Sequence, residues 1–162
     1  MSADNSRARS STQNGIPYRA EQSLGRETSP MSFGDLHHVE IRTIDLAAAS
    51  RSWGWLLGEL GYKPFQEWAD GQSWQLDTTY LVLETAPARG QHDRRLPGLS
   101  HLAFHAGTQT NVERLWRSAP EHGWNHLYGD RWPWAGGPKH FAAFLENEER
   151  FKLELVASEE LR

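Results

Sequence analysis

Apolar and polar positions follow the same order twice along the chain from residue 33 onward. In the first half, residues 36–43 alternate as a half-buried β-strand does. A helical stripe with spacings of three and four residues comes next, and its apolar positions are Leu46, Ala49, Trp53, Leu56 and Leu60. Asp45 is a suitable N-cap for that helix, and Gly61 a suitable end. Strand-like stretches at 63–68, 72–77 and 79–85 complete the first half.

The second half shows the same pattern. Residues 99–106 alternate as a strand, and Thr110 begins a sequence typical of a helix capping box. The apolar stripe of this helix is Val112, Leu115, Trp116 and Ala119. Pro120 and Gly123 mark the end of the helix, and strand-like stretches follow at 125–131, 140–146 and 150–157. Each half therefore predicts a strand, a helix and then several strands.

The two halves also share residues at corresponding positions. A shift of 63 positions places His38 on His101. Glu84 and Glu154 correspond only at a shift of 70, so we expect about seven additional residues in the second half, at 132–138. We interpret the two halves as a duplication, the alternative being two similar strand–helix units that share a pattern without common origin.

Length and composition restrict the class of protein. The 162 residues suffice for one domain, and residues 1–30 are too polar to form a core, so we expect a disordered extension. The single domain at 33–158 then consists of module one (33–87), a loop (88–98) and module two (99–158). No run approaches the ~18 apolar residues of a membrane span, and a net charge of −4 gives no reason to expect nucleic acid or an anionic membrane as partner. The absence of cysteine excludes thiolate chemistry and is consistent with a cytoplasmic location.

Four polar residues stand out against the strand alternation. His38 and His101 lie at the first strand of each half, and Glu84 and Glu154 at the last. In each strand the apolar residues occupy the opposite face, so these four side chains share the face that is not packed under the helices. Imidazole and carboxylate groups together suit Ni²⁺, Co²⁺, Fe²⁺, Mn²⁺ or Zn²⁺. We therefore predict a site for one divalent metal ion, against the alternative that the four residues face solvent.

These residues resemble the vicinal oxygen chelate superfamily, which comprises glyoxalases, bleomycin-resistance proteins and dioxygenases. The resemblance rests on the order and spacing of four segments: 36–42, 56–62, 99–104 and 151–156. It implies an α+β fold in which two βαβββ modules lie side by side, so that their curved mixed sheets enclose a metal cleft. It also implies that His38, Glu84, His101 and Glu154 fill the four ligand positions of glyoxalase I, and it is the sole basis for expecting a homodimer.

The complete set of four ligands favours a glyoxalase I-like lyase, isomerase or epimerase within the superfamily. The metal would bind two neighbouring oxygens of a small-molecule substrate and stabilise the oxyanion that forms when a proton leaves carbon. By resemblance, Glu154 is the first candidate for the general base and Glu84 the second. Two alternatives stay open: a metal-free protein that binds a small molecule or antibiotic, and an Fe(II) extradiol-type dioxygenase.

Other polar residues have weaker support. His105 and Arg42 lie on the same strand faces as the predicted ligands and are candidates for substrate binding, in which Arg42 would pair with a carboxylate. Lys139 and His140 follow Gly136 and Gly137 and are interpreted as part of a plain loop, the alternative being a mobile edge of the cleft.

Overall fold

A computed structural model of the protein describes residues 33–158. The predicted disordered extension, 1–30, lies outside these residues. Within the part of the chain that is described, no helix is both long and apolar enough to cross a membrane.

The described chain contains two successive βαβββ modules. The first consists of β1 (His38–Thr43), α1 (Leu46–Glu59), β2 (Lys63–Trp68), β3 (Gly71–Leu76) and β4 (Thr79–Thr85). The second consists of β5 (Leu102–His105), α2 (Gln109–Ser118), β6 (Trp124–Leu127), β7 (Ala142–Asn147) and β8 (Lys152–Val156). Short 3₁₀ helices at Ala119–His122 and Gly129–Arg131 precede and follow β6.

Side-chain caps fix where the two helices begin. The Asp45 carboxylate accepts a hydrogen bond of 2.9 Å from the Ala48 N–H, as expected from the sequence. In the second helix the cap is Thr108, whose hydroxyl accepts from the Asn111 N–H at 3.2 Å. The prediction of a cap at Thr110 was wrong: the cap lies two residues earlier, because the Thr108 hydroxyl already satisfies a free N–H at the start of the helix.

Each module forms a four-stranded mixed sheet. The strand orders are β1-β4-β3-β2 and β5-β8-β7-β6, so the first and last strands of each module are neighbours. These neighbours run parallel, whereas the remaining pairs are antiparallel. The predicted α+β fold with two similar modules is confirmed.

One hydrophobic core joins the two modules on the helix side of the sheets. It contains α1 and α2 residues together with Leu83 from β4 and Leu155 from β8, all within one cluster. Trp53 of α1 and Trp124 of β6 meet edge to face with ring centroids 5.2 Å apart, and the Trp124 indole N–H donates to the Ser52 carbonyl at 3.0 Å. Because the core takes every second residue of the central strands, the intervening residues form the opposite face, where the candidate site lies.

Candidate active site

The centre of the candidate site is a carboxylate on the non-helical face of the second sheet. Leu153 and Leu155 are buried in the core, and the alternation of β8 turns Glu154 to the other face, where it is 8% exposed. His101, just before β5, donates from Nε2 to Oε2 of Glu154 at 3.0 Å. His140 donates from its Nε2 to the other oxygen, Oε1. The two imidazoles thus occupy both oxygens of one nearly buried carboxylate.

In both contacts Nε2 is the ring nitrogen that faces the carboxylate. An ionised carboxylate only accepts hydrogen bonds, so each Nε2 carries a proton. In a neutral ring the remaining nitrogen, Nδ1, is then unprotonated and able to accept a proton. The Nδ1 of His101 lies 3.4 Å from the Ser100 hydroxyl.

His140 is the residue that sequence reasoning missed. It belongs to the segment between the second 3₁₀ helix and β7, where its N–H donates to the Gly137 carbonyl at 3.1 Å. Its ring lies so close to Gly136 that an added Cβ there would be 2.3 Å from the His140 Cδ2 atom. Gly136 is therefore needed for the ring to reach Glu154, and the Gly136–Gly137 pair was the available signal.

Glu84 has a different set of partners on the first sheet. It forms an ion pair with Arg42 and accepts a hydrogen bond of 3.3 Å from the Trp68 indole N–H. Arg42 is also paired with Glu40, with a distance of 2.6 Å between Nη2 and Oε1. The result is a compact network of two carboxylates around one guanidinium.

The strand register separates His38 from Glu84. His38 lies beside Tyr80 in the parallel β1–β4 pair, and their rings stack with centroids 4.9 Å apart. Glu84 lies beside Arg42, four residues further along the same strand pair. At about 3.3 Å per residue, this places the two backbone positions roughly 13 Å apart along the sheet, which is too far for both side chains to bind one ion.

The register also corrects the predicted correspondence between the halves. In the second module Ala103 lies beside Glu154. The shift of 63 positions places Glu40 on Ala103, and in the first module Glu40 lies beside Val82. Val82 therefore occupies the position equivalent to Glu154. Glu84 lies two residues beyond it, so the two glutamates are not equivalent and the inferred shift of 70 does not describe the repeat.

The predicted metal ligands are only partly brought together. His101 and Glu154 are in contact, whereas His38 and Glu84 lie on the other sheet with partners of their own. No group of three or more His, Asp or Glu side chains between residues 33 and 158 is arranged to hold a metal ion. Two imidazoles and a carboxylate are suitable donors, but His101 and His140 bind opposite oxygens of Glu154 instead of facing a common point. This arrangement does not fit one ion held by all four predicted ligands of a single chain, and the metal stays a prediction.

The two predicted substrate-binding residues lie apart from this centre. His105 ends β5 on the face of Glu154, and its Nδ1 lies 3.0 Å from the Ser158 hydroxyl. Arg42 belongs to the network on the first sheet. Their roles in substrate binding stay predictions.

A cavity of about 410 Å³ adjoins the centre at the junction of the two modules. His101 and Lys152 line it from the second module, and Glu40 and Arg42 from the first. Apolar side chains such as Phe151 form much of the remaining wall. Its volume is in the range of small-molecule sites, about 300–1,000 Å³, and His101 is the member of the centre that faces it.

Comparison with known proteins identifies the family. No protein-family profile matches the chain. It is 44% identical over 125 residues to the uncharacterised protein YqjT of Bacillus subtilis strain 168, with coverage of 75% of this chain and 98% of that protein. It is also 44% identical to a candidate glyoxalase of known structure from Bacillus halodurans, with a TM-score of 0.74 and coverage of 77% and 96%.

A more distant structure supports the fold alone. A glyoxalase/bleomycin resistance protein from Albidiferax ferrireducens T118 is 17% identical, with a TM-score of 0.63 and coverage of 76% of this chain and 98% of that one. The two βαβββ modules and the two relatives at 44% identity lead to one conclusion: the chain belongs to the glyoxalase/bleomycin resistance/dioxygenase family of the vicinal oxygen chelate superfamily.

Proposed function

We propose that this protein is an enzyme that moves a proton at a carbon atom next to a carbonyl group of a small molecule, as an isomerase, epimerase or lyase does. His101 and His140 are the acid–base groups, and Glu154 holds them in position. The observation that carries the proposal is one carboxylate whose two oxygens each accept from a separate imidazole.

Burial supports this division of roles. The Glu154 side chain is 10% exposed, whereas the His101 and His140 side chains are 30% and 41% exposed. The carboxylate is thus largely shielded from solvent, and both of its oxygens already bind an imidazole. The two rings are the groups that a substrate can reach. Glu154 therefore acts as a positioning residue, which differs from the base expected for it by resemblance.

The arrangement suits transfer of a proton between two positions. With Nε2 directed at Glu154, Nδ1 of one neutral ring takes the proton from carbon, and the resulting imidazolium is stabilised by the carboxylate behind it. The second ring, when protonated, donates a proton to the intermediate. Positioned acid–base groups of this kind contribute about 10²–10⁴-fold to a rate.

Deuterium exchange tests the proposal without knowledge of the natural substrate. The protein is incubated in D₂O with a panel of small 2-oxo acids, hydroxyketones and thioesters, and loss of C–H signals is followed by proton NMR. We expect exchange with at least one compound, reduced roughly 100-fold or more in His101→Asn and His140→Asn. His122→Asn is the matched control, because His122 stacks on Trp55 of α1 and does not line the cavity beside the centre.

The same experiment separates the alternatives. Binding without exchange for the whole panel would contradict the proposal and favour a sequestering protein. Oxygen uptake would favour the dioxygenase. The predicted metal is tested by elemental analysis of the purified protein and by measuring exchange after treatment with a chelator. The His38→Asn variant tests which residues form the site. If all four predicted ligands form it, this variant loses exchange; if the centre on the second sheet forms it, the variant keeps exchange.

A further inference from the structure

We propose that the substrate of this centre carries an anionic group, of the carboxylate type, and that Lys152 binds it. The reaction at the neighbouring carbon rests on the proposed function, but recognition of the anion can be tested by itself. Three features of the second sheet carry the inference: the position of Lys152, the aromatic rings around it, and the ion pairs already made by Glu146, the acidic residue paired with Lys152 in the sheet.

Lys152 lies next to the acid–base centre. It is two residues before Glu154 on β8 and so projects from the same face, about 7 Å along the strand. The parallel β5–β8 pair begins with Leu102 beside Leu153, so His101 and Lys152 are the residues that immediately precede this pair on the two neighbouring segments. Both line the cavity at the module junction.

Aromatic rings surround the Lys152 ammonium group. Its Nζ lies 5.6 Å from the centroid of the Phe144 ring and 5.9 Å from that of Tyr128. Phe144 is the strand neighbour of Glu154, and Tyr128 also contacts the Arg131 guanidinium at 4.7 Å. Cation–π contacts hold a cation in place but do not neutralise it.

The acidic residue opposite Lys152 is already engaged. Glu146 lies beside Lys152 in the β7–β8 pair, but its Oε1 forms an ion pair with Arg94 at 2.8 Å and lies 3.7 Å from Arg150. Among the residues that the structure describes, no carboxylate forms an ion pair with Lys152 or Arg131.

A half-buried cation without an acidic partner, beside a cavity and a pair of imidazoles, is suited to receive an anionic ligand. A carboxylate bound at Lys152 would bring the adjacent carbon of the same molecule toward His101. The neutral amide of that acid lacks the charge that Lys152 recognises.

Pyruvate and pyruvamide are a matched pair of probes for this site, because they have nearly the same shape and differ in charge. Their dissociation constants are measured by ligand-observed NMR with the full-length protein. We expect the wild type to bind pyruvate roughly tenfold more tightly than pyruvamide. The Lys152→Met variant should lose this preference and Lys152→Arg should keep most of it, while Lys63→Met, a change on the exposed β2 strand, is the control.

The outcomes of binding and exchange are separable. Equal affinity for the two probes, a preference that persists in Lys152→Met, or no binding of either probe at its solubility limit would overturn the inference. A pyruvate preference that depends on Lys152, in a protein that exchanges no proton, would establish the anion site and sink the proposed reaction. Proton exchange that depends on His101, in a protein that binds pyruvate and pyruvamide equally, would support the proposed reaction and overturn the anion site.

Discussion

The Gly71→Ala variant is expected to be clearly less stable than the wild type, although the substitution adds only one methyl group. Gly71 begins β3 and is covered by the Trp68 ring. A Cβ at this position would lie 2.4 Å from the Trp68 Cζ2 atom and 2.7 Å from the Leu83 carbonyl oxygen. Carbon atoms in contact are normally about 3.5–4.0 Å apart, so both neighbours would have to move.

The two neighbours differ in how easily they move. The Trp68 ring is 39% exposed and can turn outward, at the loss of its hydrogen bond to Glu84. The Leu83 carbonyl belongs to the backbone of β4, the strand that joins β1 to β3, and moves only with the sheet. Overpacking of this kind costs about 1–3 kcal/mol. The lower conformational entropy of the unfolded chain with alanine offsets about 0.4–1 kcal/mol of this cost. The net loss is therefore at most about 2.6 kcal/mol, and about 1.3 kcal/mol at the middle of both ranges.

Urea unfolding followed by tryptophan fluorescence measures the loss. The matched control is Gly58→Ala, a change in α1 where the added Cβ meets no atom within 4 Å. We expect it to stabilise the protein by about 0.5–1 kcal/mol through helix propensity, so the two variants should shift in opposite directions. The double variant Trp68→Ala/Gly71→Ala should recover only part of the loss, because the carbonyl contact remains. A Gly71→Ala midpoint at or above the wild-type value would refute this reasoning.

Three further variants test the packing and charge of the domain by urea unfolding. Burial raises the pKa of the Tyr62 phenol above its ordinary value of 10.0, so the stability that the protonated phenol provides is present below about pH 10 and is lost as the pH rises through the folded-state pKa. Tyr62→Phe should remove that decline above about pH 10. Trp124→Phe loses a buried hydrogen bond to the Ser52 carbonyl and should cost about 1–3 kcal/mol. Arg114→Met breaks the exposed ion pair with Glu59 and should change stability by less than about 1 kcal/mol.

Most of the fold could be predicted because its signals are local. The stretches 63–68 and 79–85 coincide with β2 and β4, and the helical stripes supply the buried faces of α1 and α2. The errors in the prediction occur at the ends of helices and strands, where a single residue decides the boundary. The second helix begins after Thr108 instead of Thr110, because either threonine can cap a helix and only the structure shows which N–H groups are free.

The candidate site was less accessible to sequence reasoning because it depends on contacts across strands and loops. The approach of His101 to Glu154 follows from the first and last strands of a module being neighbours. His140 carries no comparable signal, since a loop has no period and the glycine before it only permits the close approach.

The mistaken correspondence of Glu84 with Glu154 has a definite physical cause. Strand pairing sets which side chains can meet, and a shift of two residues keeps a side chain on the same face while moving it about 7 Å along the sheet. Glu84 therefore lies on the predicted face of its strand but beside Arg42, two residues beyond the position equivalent to Glu154. Val82 occupies that position, where the fourth ligand was expected. A duplication whose halves differ at this position leaves the polar chemistry on the second sheet and an ion-pair network on the first, which is why the proposed function is built on His101, Glu154 and His140 alone.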